Sequence, residues 1–208
     1  MWFAALPRCA IAGGIVVNII KSILKPVVKR VYRFRAKSQL SQLRDLGNPS
    51  AGKIANALDD ALNDILDPEE KRWVERIEEK RRLLNGSSAI ISITDYGAGS
   101  PNLVRGDGEM SRGVVISRTV GEVSRGASKP YFWSLLLFKL IRKFAPSSCL
   151  ELGTCLGISG AYQASALKLN ANGRLVTMEG AKALASLAEQ HFQQLGLDNV
   201  RVVVGRFQ

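Results

Sequence analysis

The chain has 208 residues, 46% hydrophobic and 23% charged, the composition of a globular protein with a buried core in one or two domains. Its formal net charge of +11 is uneven: through residue 45, nine basic residues face one acidic residue, Asp45, while the remainder is only mildly basic. Cys9, Cys149 and Cys155 form no Cys-x-x-Cys pair and have no histidine nearby, which excludes a disulfide framework and a zinc site and fits a reducing, cytosolic setting.

Cys9 to Ile20 is apolar but shorter than the roughly 20 residues a membrane-spanning helix needs. Basic residues follow that run instead of preceding it, so a signal peptide is not expected. From Ile15 to Phe34 the apolar residues Val16, Ile20, Ile23, Val27, Val31 and Phe34 recur at helical spacing, with Lys21, Lys25, Lys29 and Arg33 on another face. Such a helix can lie on an anionic membrane surface through residues 15–35, or pack on its own domain with a solvated basic face. Pro26 would kink it. Aromatic residues among the basic ones are few, chiefly Tyr32 and Phe34, which argues against single-stranded nucleic acid as a partner.

Asn48-Pro49-Ser50 is a break, and Ala51 to Leu66 is predicted as a helix. Asp67-Pro68 supplies a cap and a first-turn proline for the next, which runs to Asn85-Gly86 and carries Glu75, Glu78, Glu79, Arg81 and Arg82 on a face expected to be solvated. A short strand follows over Ala89 to Thr94, then a glycine- and arginine-containing loop from Asp95 to about Gly113. Within it, Asp95-Tyr96-Gly97-Ala98-Gly99-Ser100 is either a cover that shapes a substrate pocket or a plain turn. Lys129 to Phe144 is a strongly apolar helix bracketed by Pro130 and Pro146.

Beyond Pro146 the pattern becomes a strict alternation: strand Cys149 to Leu152, helix Ile158 to Leu169, strand Arg174 to Met178, helix Ala181 to Leu195, strand Val200 to Val204. That order predicts an α/β, Rossmann-like parallel sheet behind a helical N-terminal region. The only histidine, His191, falls in a polar helical stretch and is expected to be solvated.

The first strand of this sheet opens into Glu151-Leu152-Gly153-Thr154-Cys155-Leu156-Gly157-Ile158-Ser159-Gly160, a glycine turn that starts a helix. Gly153 and Gly157 would let the backbone approach a bound nucleoside, because a Cβ at either would take ligand space. The ligand crevice of a parallel sheet lies at the strands' carboxyl ends, where this turn stands. The second strand ends at Glu179-Gly180, where a carboxylate can accept from both hydroxyls of a ribose. A dinucleotide fingerprint needs Gly-x-Gly-x-x-Gly, and Cys155 stands where its second glycine would be.

Cys-Leu-Glu-Leu-Gly-Thr-x-x-Gly-x-Ser resembles the first motif of class I S-adenosylmethionine-dependent methyltransferases, especially bacterial and plant O-methyltransferases, and the spacing to Glu179 is similar too. The resemblance implies S-adenosyl-L-methionine as cofactor, bound by Glu151, Gly153, Thr154, Gly157, Ser159, Glu179, Gly180, Gly205 and Phe207, and methylation of a hydroxyl on a small molecule. Arg206 departs from the Gly-Asp/Asn-Ala turn usual beside the adenine. Class I methyltransferases build a seven-stranded sheet, so the resemblance also implies that Gln208 falls just after the third strand of a longer enzyme. The expected organisation is a basic amphipathic helix (1–45), a helical region with a short strand and a Gly/Arg loop as substrate-side cover (46–145), and the first half of the cofactor domain (146–208). The alternative is a non-catalytic fragment, or a membrane- or anion-binding module that acts through the basic helix.

Overall fold

The computed structural model describes residues 37–96, 106–171 and 173–206. The basic helix expected over 15–35 lies outside them. The chain divides into two compact units with the boundary after Ala55. In the first, residues 37–44 are helical and Asn48 starts α1 (Pro49–Leu62), which runs across the boundary. The Asn48 Oδ1 accepts the Ser50 backbone N–H at 2.9 Å. The break expected at Asn48-Pro49-Ser50 therefore caps a helix, with proline where no donor is needed. The helix stops at Leu62 instead of Leu66, and Asp64 follows in a left-handed conformation with φ 53°.

In the second unit Asp67 caps α2 (Pro68–Asn85) in the expected way. Its Oδ1 accepts the backbone N–H of Glu69 and Glu70, each at 2.9 Å, while Glu70 Oε2 accepts the Asp67 N–H. These donors, Glu70's first, hold the Asp67 carboxyl below the usual range. The charged face of α2 departs from expectation. Arg81 is largely buried; it pairs with Glu78 at 2.9 Å and donates to the Lys129 carbonyl at 2.6 Å. Glu78 Oε1 also accepts the Tyr162 hydroxyl at 2.8 Å. The pairs Glu79 with Arg82 and Lys71 with Glu75 do sit on a solvated surface, the first at three-residue and the second at four-residue spacing.

A hairpin then forms from β1 (Ile90–Asp95) and β2 (Val114–Thr119), antiparallel in the register Ile90↔Thr119 to Asp95↔Val114. The loop expected from Asp95 to Gly113 contains a short helix, α3 (Asp107–Arg112), and β2 leads directly into α4 (Val120–Ala127). The apolar helix expected next is α5 (Tyr131–Phe144). The alternation that follows is present: β3 (Ser148–Leu152), α6 (Ile158–Leu169), β4 (Arg174–Glu179), α7 (Lys182–Leu195) and β5 (Val200–Val204). The three strands form a parallel sheet ordered β3-β4-β5, so the α/β, Rossmann-like reading holds.

The core lies between the helices and one face of this sheet. Leu175 and Thr177 of β4 are fully buried, as are Leu135, Phe138, Tyr162 and Leu167 of α5 and α6. Phe138 and Tyr162 meet edge to face with centroids 6.3 Å apart. On the opposite side of β3, Leu150 and Leu152 are 64% and 59% exposed. Among the described residues β3 pairs only with β4, which leaves its other edge open.

One ionic network joins α2, α5 and the turn after α6. Lys139 and Glu70 are buried together and bonded, Arg142 Nε reaches Glu70 Oε1 at 3.0 Å, and Arg142 also donates to Asn170. Removal of one partner of a buried pair strands the other and costs about 3–5 kcal/mol. Glu70→Ala is therefore expected to lower unfolding free energy in urea by about that amount. Loss of the exposed Lys71–Glu75 pair in Lys71→Ala should change it by less than about 0.5 kcal/mol.

Candidate functional site

The carboxyl ends of β3, β4 and β5 meet in a single hydrogen-bonded joint. The chain leaves β3 through Gly153, whose N–H, with that of Thr154, donates to the Met178 carbonyl of β4 at 2.9 and 3.1 Å. Gly153 has φ +94°, and a Cβ placed there meets nothing within 4 Å, so the turn faces open space at this point. Gly157 is different. Its φ is +80°, and a Cβ would stand 2.9 Å from Phe192 Cζ and 3.3 Å from Ala188 Cβ of α7. The expectation that Gly157 leaves room for a ligand is corrected: the glycine lets α7 pack against the turn.

Glu179 closes the joint. Its Oε2 accepts the Cys155 N–H at 2.8 Å, its Oε1 accepts the Ala181 N–H at 2.9 Å, and its own carbonyl accepts the Gly205 N–H at 2.9 Å. The first bond explains why Cys155 is held at φ 50°, an uncommon conformation for a residue with a Cβ. Burial, the larger effect, pushes the Cys155 thiol up to about 11, so it is neutral near pH 7 and is no thiolate nucleophile. Each carboxylate oxygen of Glu179 keeps a lone pair beyond its one backbone donor.

The second carboxylate, Glu151, is held by side chains of the fold. Oε1 accepts from Ser159 Oγ at 2.6 Å and Gln163 Nε2 at 2.7 Å, and Oε2 accepts from Thr177 Oγ1 at 2.8 Å. Thr177 is Glu151's register partner on β4, and its hydroxyl also meets Thr154 Oγ1 at 2.6 Å. One carboxylate thus fastens β3, β4 and the first turns of α6. Burial raises the Glu151 carboxyl above its ordinary value, and the three donors oppose that rise. A cavity of about 270 Å³ lies beside it, lined by Lys129, Glu151, Leu152, Gly153, Thr154 and Cys155 among others.

The expected site residues therefore separate into two groups. Gly153, Glu179, Gly180 and Gly205 stand around the strand ends, and a Cβ at Gly180 or Gly205 would meet no atom closer than 3.7 Å. Glu151 lines the cavity but spends its oxygens inside the fold, and the side chains of Thr154 and Ser159 are spent on Thr177 and Glu151. Phe207 lies outside the described residues. Thr177 and Gln163 were missed, although each carries a periodicity signal: Gln163 is one helical turn beyond Ser159, and Thr177 shares a strand face with Glu179. His191 is a correction. It is buried, its Nδ1 lies 2.9 Å from the Leu156 carbonyl, and burial lowers its pKa, so it is a neutral brace between α7 and the glycine turn.

No protein-family model matches the chain, and no curated protein matches it. Among solved structures it is similar to an SAH-bound methyltransferase of Podospora anserina, with 19% identity, a TM-score of 0.36, and coverage of 38% of this chain and 34% of that one. It is also similar to a coclaurine N-methyltransferase bound to N-methylheliamine and SAH, with 16% identity, a TM-score of 0.31, and coverage of 86% and 50%. The chain thus spans half or less of the length of these two proteins.

The raised carboxyl of Glu151 fixes a pH dependence. A group whose folded pKa lies above its unfolded value favours the fold below the unfolded value, near 4.5, and loses that contribution as pH rises through the folded pKa. Melting temperatures of wild type and Glu151→Gln measured from pH 4 upward should therefore diverge in favour of the variant across that window. Parallel curves would show that the carboxyl is not perturbed.

Proposed function

We propose that the chain is the cofactor-binding part of a class I S-adenosylmethionine-dependent methyltransferase, with an O-methylated small molecule as product. The observation that carries this reading is the strand-end joint: Glu179 held by the Cys155 and Ala181 N–H groups, with open space above Gly153 and Gly205. The site fits the cofactor on its own geometry. A ribose needs acceptors for two vicinal hydroxyls, and the two oriented oxygens of Glu179 supply them. The missing Cβ at Gly153 lets the rest of the molecule pass close to the backbone toward the cavity beside Glu151 and Lys129.

When bound, the cofactor supplies a methyl group activated by a sulfonium. This chain's residues bind and orient. Glu179 fixes the ribose, Gly153 and Gly205 admit it, and the Glu151 network keeps β3 and β4 in register beneath. A hydroxyl acceptor is favoured by the likeness of the first motif to O-methyltransferases. Residues 15–35 remain a proposed peripheral membrane contact.

Calorimetric titration with S-adenosylhomocysteine tests the reading. Wild type should bind it saturably and should not bind NADH. Glu179→Gln, which removes the charge while it keeps an acceptor, should weaken binding by about tenfold, the scale of one charged hydrogen bond. A folded wild type that binds no S-adenosylhomocysteine, or binds NADH instead, overturns the proposal.

A further inference from the structure

The hairpin brings one aromatic side chain to the same strand ends. Tyr96 directly follows β1, and its ring lies against both segments that flank the nucleoside site. A Cβ on Gly180 would stand 3.7 and 3.8 Å from the ring's Cδ2 and Cε2, and 4.0 Å from the Gly205 carbonyl oxygen. The opposite edge is pressed on Gly113, where a Cβ would come within 2.8 Å of Tyr96 Cε1. The Arg206 guanidinium lies over the ring, 4.7 Å from its centroid. That guanidinium is anchored in turn: Nη1 donates to the Ser111 carbonyl at 2.8 Å and Nη2 to the Met110 carbonyl at 3.3 Å. Arg206, which breaks the family's usual turn, is thus a clasp that ties the end of β5 to the last turn of α3 and holds the Tyr96 ring between them.

A ribose held by Glu179 leaves its base between the backbone after β4 and the backbone after β5. Those two segments are Gly180 and Gly205-Arg206, and neither glycine offers a side chain to cover a base. Among the described residues, Tyr96 is the aromatic side chain placed against Gly180 and Arg206. We propose that Tyr96, clasped by Arg206, forms the wall against which the purine of the bound nucleoside packs, so that the hairpin and the parallel sheet share one binding site. This inference rests on the cofactor reading above. It assigns to Tyr96 a role in recognition of the base, which the glycine turn alone does not supply.

The test uses the full chain titrated with S-adenosylhomocysteine and with 5′-methylthioadenosine, which keeps the nucleoside and lacks the amino-acid end. Tyr96→Ala should weaken both ligands equally, by about tenfold, the scale of one base–aromatic contact. Tyr96→Phe, which keeps the ring, should restore wild-type affinity, and Arg206→Ala should weaken both ligands by less than Tyr96→Ala. Tyr96→Trp adds a reporter, and ligand should quench its emission saturably beyond the change in wild type. Wild-type binding with an unchanged Tyr96→Ala overturns this inference alone. Tighter binding by Tyr96→Ala also overturns it, since the ring would then occupy the base's place. Absence of binding by wild type overturns the cofactor reading and this inference with it.

Discussion

The candidate site depends on one partly buried carboxylate. Glu151 takes hydrogen bonds from Ser159, Gln163 and Thr177, and so joins the end of β3, the start of α6 and the middle of β4 at a single point. A carboxylate in that place is costly to desolvate, and only its full set of donors makes it tolerable. What it returns is position: with β3 and β4 locked in register, Gly153 and Thr154 can both reach the Met178 carbonyl, and Cys155 is placed where its N–H meets Glu179. The Glu151 network therefore supports the turn whose Cys155 N–H holds Glu179.

The two carboxylates divide labour by environment. Glu179 is bound through single backbone donors that leave acceptor capacity on both oxygens. Glu151 has its oxygens committed to side chains of the fold. A residue type suited to ligand contact can thus serve the same site from below. Gly157 makes the same point from the glycine side: its bare Cα receives Phe192 of α7, while Gly153, four residues earlier, opens on the crevice.

Much of the fold was legible in the sequence because each boundary carries its own chemical mark. Asp67-Pro68, Pro130 and the glycine turn all stand where helices start, and the βαβαβ alternation was recovered with strand and helix limits shifted by at most one residue. What was not legible depended on partners far away in sequence. Val114–Thr119 is only half buried and becomes a strand by pairing with β1, and Gly121 and Gly126 weaken the helical signal of α4. Arg81 and Glu78 carry an ordinary surface pattern, yet they bond Lys129 and Tyr162, far away in sequence. His191 sits among polar neighbours in sequence and still turns inward, because the Leu156 carbonyl needs a partner there.

Where a nucleoside lies on this chain is measured directly by a crystal structure grown with S-adenosylhomocysteine. Both ribose hydroxyls are expected on the Glu179 carboxylate, with the Cys155 and Ala181 N–H bonds retained and the purine between Gly180 and Gly205. A nucleoside bound elsewhere on the molecule, or one at the strand ends with no contact to Glu179, would contradict that expectation.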